Sequence, residues 1–144
     1  MIEPDTIKLL RECDAGVKMG VTSIEEVMEY VSNENMKEYL IECKTNHKKL
    51  DVEIRTLLDE FHDDGKEPNP MAKGMSWIKT NIKLVMNESD QTIADLITDG
   101  CNMGIKSLNK YLNQFKAADE KSKDITKRLI DFEEKLIKDL RQFL

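Results

Sequence analysis

Two polar residues interrupt the apolar stripes of the first two predicted helices, and they are the first candidates for chemistry. Asp14 and His47 each occupy a step at which neighbouring turns place Leu, Ile, Val or Met. A buried carboxylate without a partner is costly, so Asp14 is expected to be paired, neutral or bound to a ligand. Counting back from a turn at residues 32–33 places the two residues about one helical turn apart. The sequence therefore predicts direct or water-bridged contact between them.

A bound transition metal is the chemical alternative to that pairing. A similar count across the last two helices places Cys101 level with Glu133. If the second and third helices run parallel, one central layer contains Asp14, His47, Cys101 and Glu133, and Cys43 lies one turn away. All of these are ligand types for a transition metal. Because buried cysteines and lone core histidines are usually structural, hydrogen bonding is favoured over a single metal ion in this layer.

Other kinds of site have less support in the sequence. No pattern indicates an exposed cysteine of low pKa, so nucleophilic catalysis is not expected. The chain has two histidines and three cysteines without a C-x-x-C pair, which argues against a zinc finger or a disulfide framework. Small residues on the stripes would either leave a gap for a small ligand or allow close helix approach: Gly16, Gly20, Gly100 and Gly104.

Four long amphipathic helices position these residues. Apolar residues recur at alternating steps of three and four over about 5–31, 34–63, 91–115 and 119–143, as in helices that face a core. Short links within each pair predict two antiparallel hairpins. The linker between the pairs is long enough to return to the same end of the bundle, with a crossover helix over about 71–87. We therefore expect residues 1–144 to form a single all-α domain, a four-helix bundle with parallel second and third helices.

Composition agrees with a helical protein and restricts its partners. Hydrophobic residues make up 40% and aromatic residues 6% of the 144 residues, which disfavours a β-sandwich or barrel. The 22 Lys and Arg against 28 Asp and Glu give a net charge of −6, so nucleic acid is not an expected partner. No apolar stretch approaches the roughly 20 residues that span a bilayer. With an acidic N-terminus unlike a signal peptide, the chain is expected to be cytoplasmic and not membrane-bound.

Three groups of residues resemble the small ferritin-like bacterial proteins of uncharacterised function. They are Leu10-x-x-x-Asp14-x-Gly16-x-x-x-Gly20, Trp77-Ile78-Lys79 with Ile82-Lys83, and Cys101-Asn102-Met103-Gly104-Ile105 through Tyr111. The resemblance covers most of the chain. It implies a ferritin-like four-helix bundle with a long helical crossover between helices two and three.

The resemblance also implies where a di-iron centre would lie, and this chain lacks most of its ligands. Ferritin-like di-iron sites use a Glu from each of two helices and a Glu-x-x-His from each of the other two. Here Asp14 stands at the first ligand position, Lys44 precedes His47 by three residues, and the fourth helix has no histidine. We therefore favour a non-enzymatic protein that acts as a homo-oligomer or by binding a protein partner, without a cofactor. The alternative is an atypical metal-binding protein with one transition-metal ion.

Overall fold

The computed structural model describes residues 4–67 and 89–144, which form four long helices. The first two are α1 (Pro4–Val27), extended by a 3₁₀ turn at Met28–Tyr30, and α2 (Glu34–Glu60). The others are α3 (Asp90–Gln114) and α4 (Glu120–Leu140), the latter followed by a 3₁₀ turn at Arg141–Phe143. The predicted all-α bundle is thus confirmed for the described residues, and the predicted crossover helix at 71–87 lies outside them.

None of these helices is both long enough and apolar enough to cross a membrane. This finding applies to residues 4–67 and 89–144.

Side-chain caps fix the starts of α2, α3 and α4. Asn33, Ser89 and Asp119 each accept a hydrogen bond from the backbone N–H three residues later, at 2.8–3.2 Å. These bonds satisfy N–H groups that the first turn of a helix otherwise leaves without a partner. The three caps explain why each helix begins close to its predicted start.

The end of α2 differs from the prediction because His62 adopts a left-handed backbone, with φ of 55°. Its N–H donates to the carbonyl of Asp59 at 3.0 Å, and the N–H of Asp63 donates to the carbonyl of Leu58 at 2.8 Å. This pair of bonds is a Schellman motif, which satisfies the last carbonyls and stops the helix. The helix therefore ends at Glu60, three residues before the predicted end.

Hydrogen bonds at the two ends of the bundle define the direction of each helix. At one end, the carboxylate of Asp90 accepts the N–H groups of Ser32 and Asn33 at 2.8 and 3.0 Å. At the other end, Asp5 in the first turn of α1 accepts the N–H of Ala117 at 3.1 Å. The start of α3 therefore lies beside the turn between α1 and α2. It follows that α2 and α3 run parallel, whereas α1 is antiparallel to both.

The bundle core consists of two apolar clusters, and all four helices contribute to each. Within the bundle, α1 packs chiefly against α2 and α3 against α4, while α2 and α4 join the two pairs. One cluster includes Ile24, Leu40, Ile97 and Leu136. The other includes Val17, Leu50, Leu108 and Leu129. Burial of these side chains is the main favourable contribution to folding.

Between the two clusters each helix places one residue that belongs to neither. These residues are Gly20 of α1, His47 of α2, Gly104 of α3 and Glu133 of α4. We call this layer the central band. It contains two of the four candidate ligands that the sequence suggests.

Candidate functional site

Asp14 is fully buried on α1, as its position on the apolar stripe predicts. Its Oδ2 accepts hydrogen bonds from Lys18 Nζ at 3.0 Å and from the backbone N–H of Lys66 at 2.9 Å. Arg55 Nε of α2 lies 3.9 Å from Oδ1. The carboxylate therefore fastens α1 to the chain just beyond α2, and these contacts are structural.

Gly65 allows this attachment because it has no side chain. It adopts a φ of 82°, a left-handed conformation that favours glycine. A Cβ at this position would also collide with Oδ2 of Asp14. His62 is the left-handed residue that ends α2, and the role of Gly65 is to bring the backbone against Asp14.

His47 is buried in the central band, with 1% of its surface exposed. Its Nδ1 lies 2.8 Å from the carbonyl oxygen of Cys43, which can only accept, so Nδ1 carries the proton. Nε2 is buried without a hydrogen-bond partner. The ring lies against Gly20, where a Cβ would be 2.9 Å from Nε2. Burial lowers the pKa of His47, so the neutral ring is favoured.

The predicted contact between Asp14 and His47 is wrong. The hydrogen bonds of Asp14 go to Lys18 and Lys66, whereas His47 bonds to the carbonyl of Cys43. Both polar groups are satisfied, at least in part, by their own surroundings, as buried polar groups usually are. Asp14 therefore does not belong to a shared layer with His47.

Glu133 supplies the second titratable side chain of the central band. Its Oε2 is buried without a hydrogen-bond partner, and burial raises the pKa of the carboxyl to about 8. A Cβ at Gly104 would lie 2.5 and 2.9 Å from Oε2 and Oε1. The carboxyl group thus fills the space that Gly104 leaves open and is largely protonated at neutral pH.

Cys43 and Cys101 lie at the edge of the apolar cluster next to the central band. Both are free thiols and buried. Burial, and then the charge of Glu133, raise the pKa of both, that of Cys43 to about 12. Because the thiolate is the nucleophile, these thiols are poorly suited to nucleophilic attack at neutral pH, and binding of a metal ion would require the loss of their protons.

The candidate ligands do not form a coordination group. Cys101 and Glu133 lie near each other, and His47 occupies the same part of the core, but Asp14 is bonded elsewhere. Within residues 4–67 and 89–144, no three His, Cys, Asp or Glu side chains come together in a way that could hold a metal ion. We therefore interpret these polar residues as structural residues of the core.

The gap for a small ligand that the glycines suggested is filled at three of four positions. His47 fills the space beside Gly20, Glu133 fills the space beside Gly104, and Leu129 lies 3.7 Å from the position of a Cβ at Gly16. Gly100 faces open space. A shallow recess between α2 and α4, beside Cys43, has room for about one water molecule.

The sequence alone did not predict that Gly20 lies against His47 and that Gly104 lies against Glu133. The detectable signal was a glycine at a core-facing position of one helix and a long polar residue at a similar height on the partner helix. The count along the sequence places Glu133 level with Cys101, but it does not predict that Oε2 of Glu133 is buried against Gly104. Comparison of the chain with protein-family models, with curated proteins and with solved structures gave no match.

Proposed function

We propose that this chain is a non-enzymatic, ferritin-like helical bundle that acts by associating with another protein molecule, either a second copy or a different partner. The parallel course of α2 and α3 supports the ferritin-like arrangement. Four-helix bundles with one long crossover between two hairpins have this course, whereas simple up-down bundles alternate throughout.

The proposal rests on the separate contacts of the candidate ligands, which do not surround a common point. Asp14 is engaged by Lys18 and Lys66 near the end of α2, and His47 is held by its bond to the Cys43 carbonyl. Glu133 fills the space beside Gly104. Each of these three side chains thus has a structural contact of its own, and their hydrogen bonds and packing do not bring them around one point.

The protonation states of the core support the same conclusion. Burial holds the Cys43 and Cys101 thiols and the Glu133 carboxyl in their neutral forms at neutral pH. Neutral thiols and a neutral carboxyl are poor nucleophiles, and these groups would have to lose protons to bind a metal ion. The recess beside Cys43 is too small for any substrate larger than water.

Elemental analysis of freshly purified protein tests this proposal. We expect iron, manganese and zinc each at well below one equivalent per chain. One equivalent or more of any of them, retained after gel filtration in a metal-free buffer, would overturn the proposal.

A second candidate function, binding of a single metal ion by Asp14, His47, Cys101 and Glu133, has one observation in its favour. Nε2 of His47 and Oε2 of Glu133 are both buried without hydrogen-bond partners, so their lone pairs are available. The side chains would have to move towards one another to share an ion. In this case His47→Ala abolishes metal uptake while the fold survives, and the exposed control His62→Asn takes up metal as wild type does. Equal uptake by His47→Ala and wild type would exclude it.

A further inference from the structure

The solvent face of α3 carries a row of six exposed residues. They are spaced three or four residues apart, except for one adjacent pair at the middle. We call them the α3 stripe: Asp95, Asp99, Asn102, Met103, Lys106 and Lys110. Residues at this spacing lie along one side of a helix. At the middle of the stripe, Met103 is 65% exposed. The stripe is therefore an outward surface with an apolar residue at its centre.

The charges of the stripe are separated by sign and lack partners within the described chain. Asp95 and Asp99 precede Met103, and Lys106 and Lys110 follow it. None of the four forms a salt bridge with another residue in 4–67 or 89–144. Some charges elsewhere in the bundle are paired between helices. Lys135 lies 3.3 Å from Glu42, Arg128 lies 2.7 Å from Glu53, and Lys48 lies 3.8 Å from Glu25.

The helix dipole does not account for this separation. Acidic residues are favourable near a helix N-terminus and basic residues near a C-terminus, but the effect falls off within the first and last turns. Asp99 and Lys106 lie more than a turn from either end of α3. Their placement therefore requires another explanation.

The stripe is complementary to itself when two copies are placed antiparallel. If a two-fold axis passes between Asn102 and Met103, Asp99 lies opposite Lys106 of the second copy, and Asp95 lies opposite Lys110 of the second copy. Each pair occurs twice, because a two-fold interface brings the same patch of both molecules together. Met103 then lies beside the axis, next to its counterpart.

We propose that the α3 stripe is the surface through which this chain associates with a second copy of itself, α3 packing antiparallel against α3. This inference rests on the proposed function and names the partner. Complementary charges set the register of the two helices and favour this partner over others.

The solvent face of α4 shows that such complementarity is not a general property of these helices. It carries exposed charges of both signs at Lys127, Asp131, Glu134 and Lys138. The same antiparallel alignment about the middle of that face sets Lys127 against Lys138 and Asp131 against Glu134. Like charges placed opposite each other repel, so α4 does not offer an equivalent surface.

An exposed apolar residue of α1 lies at the same height along the bundle as Met103. Counting along α1 and α3 from the bonds at the two bundle ends places Met19, 42% exposed, at the height of Met103. Gly100 lies three residues before Met103, and, apart from the adjacent residues and backbone of α3, no atom of residues 4–67 or 89–144 lies within 4 Å of the position of a Cβ there. One helix face is smaller than the roughly 800 Å² per partner of a standard interface. The expected dimer is therefore weak, with a Kd of micromolar order or higher.

A charge-swap experiment tests the proposal. Asp95→Lys/Asp99→Lys makes the stripe wholly basic, and Lys106→Asp/Lys110→Asp makes it wholly acidic. Sedimentation velocity over about 10–500 µM should show a reversible wild-type dimer, and each variant alone should dimerise at least about tenfold more weakly. An equimolar mixture of the two variants should associate at least as well as wild type, because opposite charges then face each other.

Two variants on α4 provide matched controls. Asp131→Lys/Glu134→Lys and Lys127→Asp/Lys138→Asp make the same changes in net charge on another exposed face, and both should dimerise as wild type does. Circular dichroism checks that all four variants are folded. Raising the salt from about 50 to 500 mM should weaken the wild-type dimer, since salt screens exposed charges.

A wild-type protein that stays monomeric over the whole range overturns self-association through the stripe. So does a mixture of the two variants that fails to associate, or a pair of variants that dimerise as wild type does. These outcomes differ from failure of the proposed function, which would appear as stoichiometric metal in the purified protein.

Discussion

The carboxyl group of Glu133 on α4 occupies the space that the missing side chain of Gly104 leaves on α3. The other hairpin repeats this relationship, with His47 of α2 lying against Gly20 of α1. Each hairpin thus contributes one glycine and one titratable group to the central band. Because both groups are buried, ionisation of either one opposes folding.

Replacing Glu133 by Gln should stabilise the protein at alkaline pH. In the unfolded chain the carboxyl ionises near its ordinary pKa of 4.5, whereas in the folded chain the pKa is raised to about 8 by burial. Between these values the folded state binds more protons, so wild-type stability falls as the pH rises. The free energy of unfolding of Glu133→Gln, relative to wild type, should increase by on the order of 3 kcal/mol from pH 5 to 8.5. Urea denaturation at each pH measures it.

The neighbouring Glu134 provides the control, since its side chain is exposed. Glu134→Gln should follow the pH dependence of wild type. If Glu133→Gln does the same, the carboxyl of Glu133 is not buried in its neutral form.

Acid should destabilise the wild type through His47. Burial lowers the pKa of this ring below its ordinary value of 6.5, so the unfolded chain binds a proton first as the pH falls below 6.5. His47→Asn, whose amide can still donate to the Cys43 carbonyl, should lose less free energy of unfolding than wild type between pH 7 and 5.5, by at most about 1 kcal/mol. Chemical denaturation across this range measures the difference.

His62 is exposed and tests whether the effect is specific to the core. Asn tolerates the left-handed backbone of this position. His62→Asn should therefore keep the wild-type acid sensitivity. If His47→Asn and His62→Asn lose the same stability as the pH falls, the acid sensitivity does not come from His47.

Two glycines on the same helix should respond in opposite directions to alanine. At Gly104 a Cβ would meet the Glu133 carboxyl, and Gly104→Ala should lower the free energy of unfolding by about 1–3 kcal/mol. At Gly100 a Cβ meets open space, and Gly100→Ala should raise it by about 0.5–1 kcal/mol because alanine favours helix. Equilibrium unfolding in urea compares the two. If both substitutions change the free energy of unfolding in the same direction, the carboxyl of Glu133 does not fill the space beside Gly104.

Gly65 should be the glycine least tolerant of replacement. Its left-handed backbone and its closeness to Asp14 both oppose a side chain. Gly65→Ala should lower the free energy of unfolding by about 2 kcal/mol, while Asp64→Ala at the exposed neighbour should change it by less than about 0.5 kcal/mol. Thermal denaturation of both variants provides the measurement. A neutral Gly65→Ala would show that the backbone here is not held against Asp14.

The apolar stripes were sufficient to predict four helices and the burial of Asp14 and His47. Alternating steps of three and four are a local property of the sequence, so helix type and the core-facing side can be predicted without knowledge of the partner. The end of α2 could not be predicted in this way, because the left-handed residue was His62, which is less common there than glycine.

The partners of the buried polar groups depend on contacts that local patterns do not encode. Asp14 is bonded to the backbone of Lys66, beyond the end of α2, and a count from the hairpin turn cannot include that segment. The 3₁₀ turn at Met28–Tyr30 also has a larger rise per residue than an α-helix, which changes the count. The burial of Glu133 depends on how α4 is rotated against α3, a tertiary property.

Asp90 and Asp5 fasten the two hairpins together at opposite ends, through backbone groups that are remote in sequence. Non-covalent contacts at both ends of the bundle therefore help to specify the relative alignment of the hairpins. In evolutionary terms, losing either carboxylate would loosen the alignment of the two hairpins at that end of the bundle, while each hairpin keeps its own internal contacts.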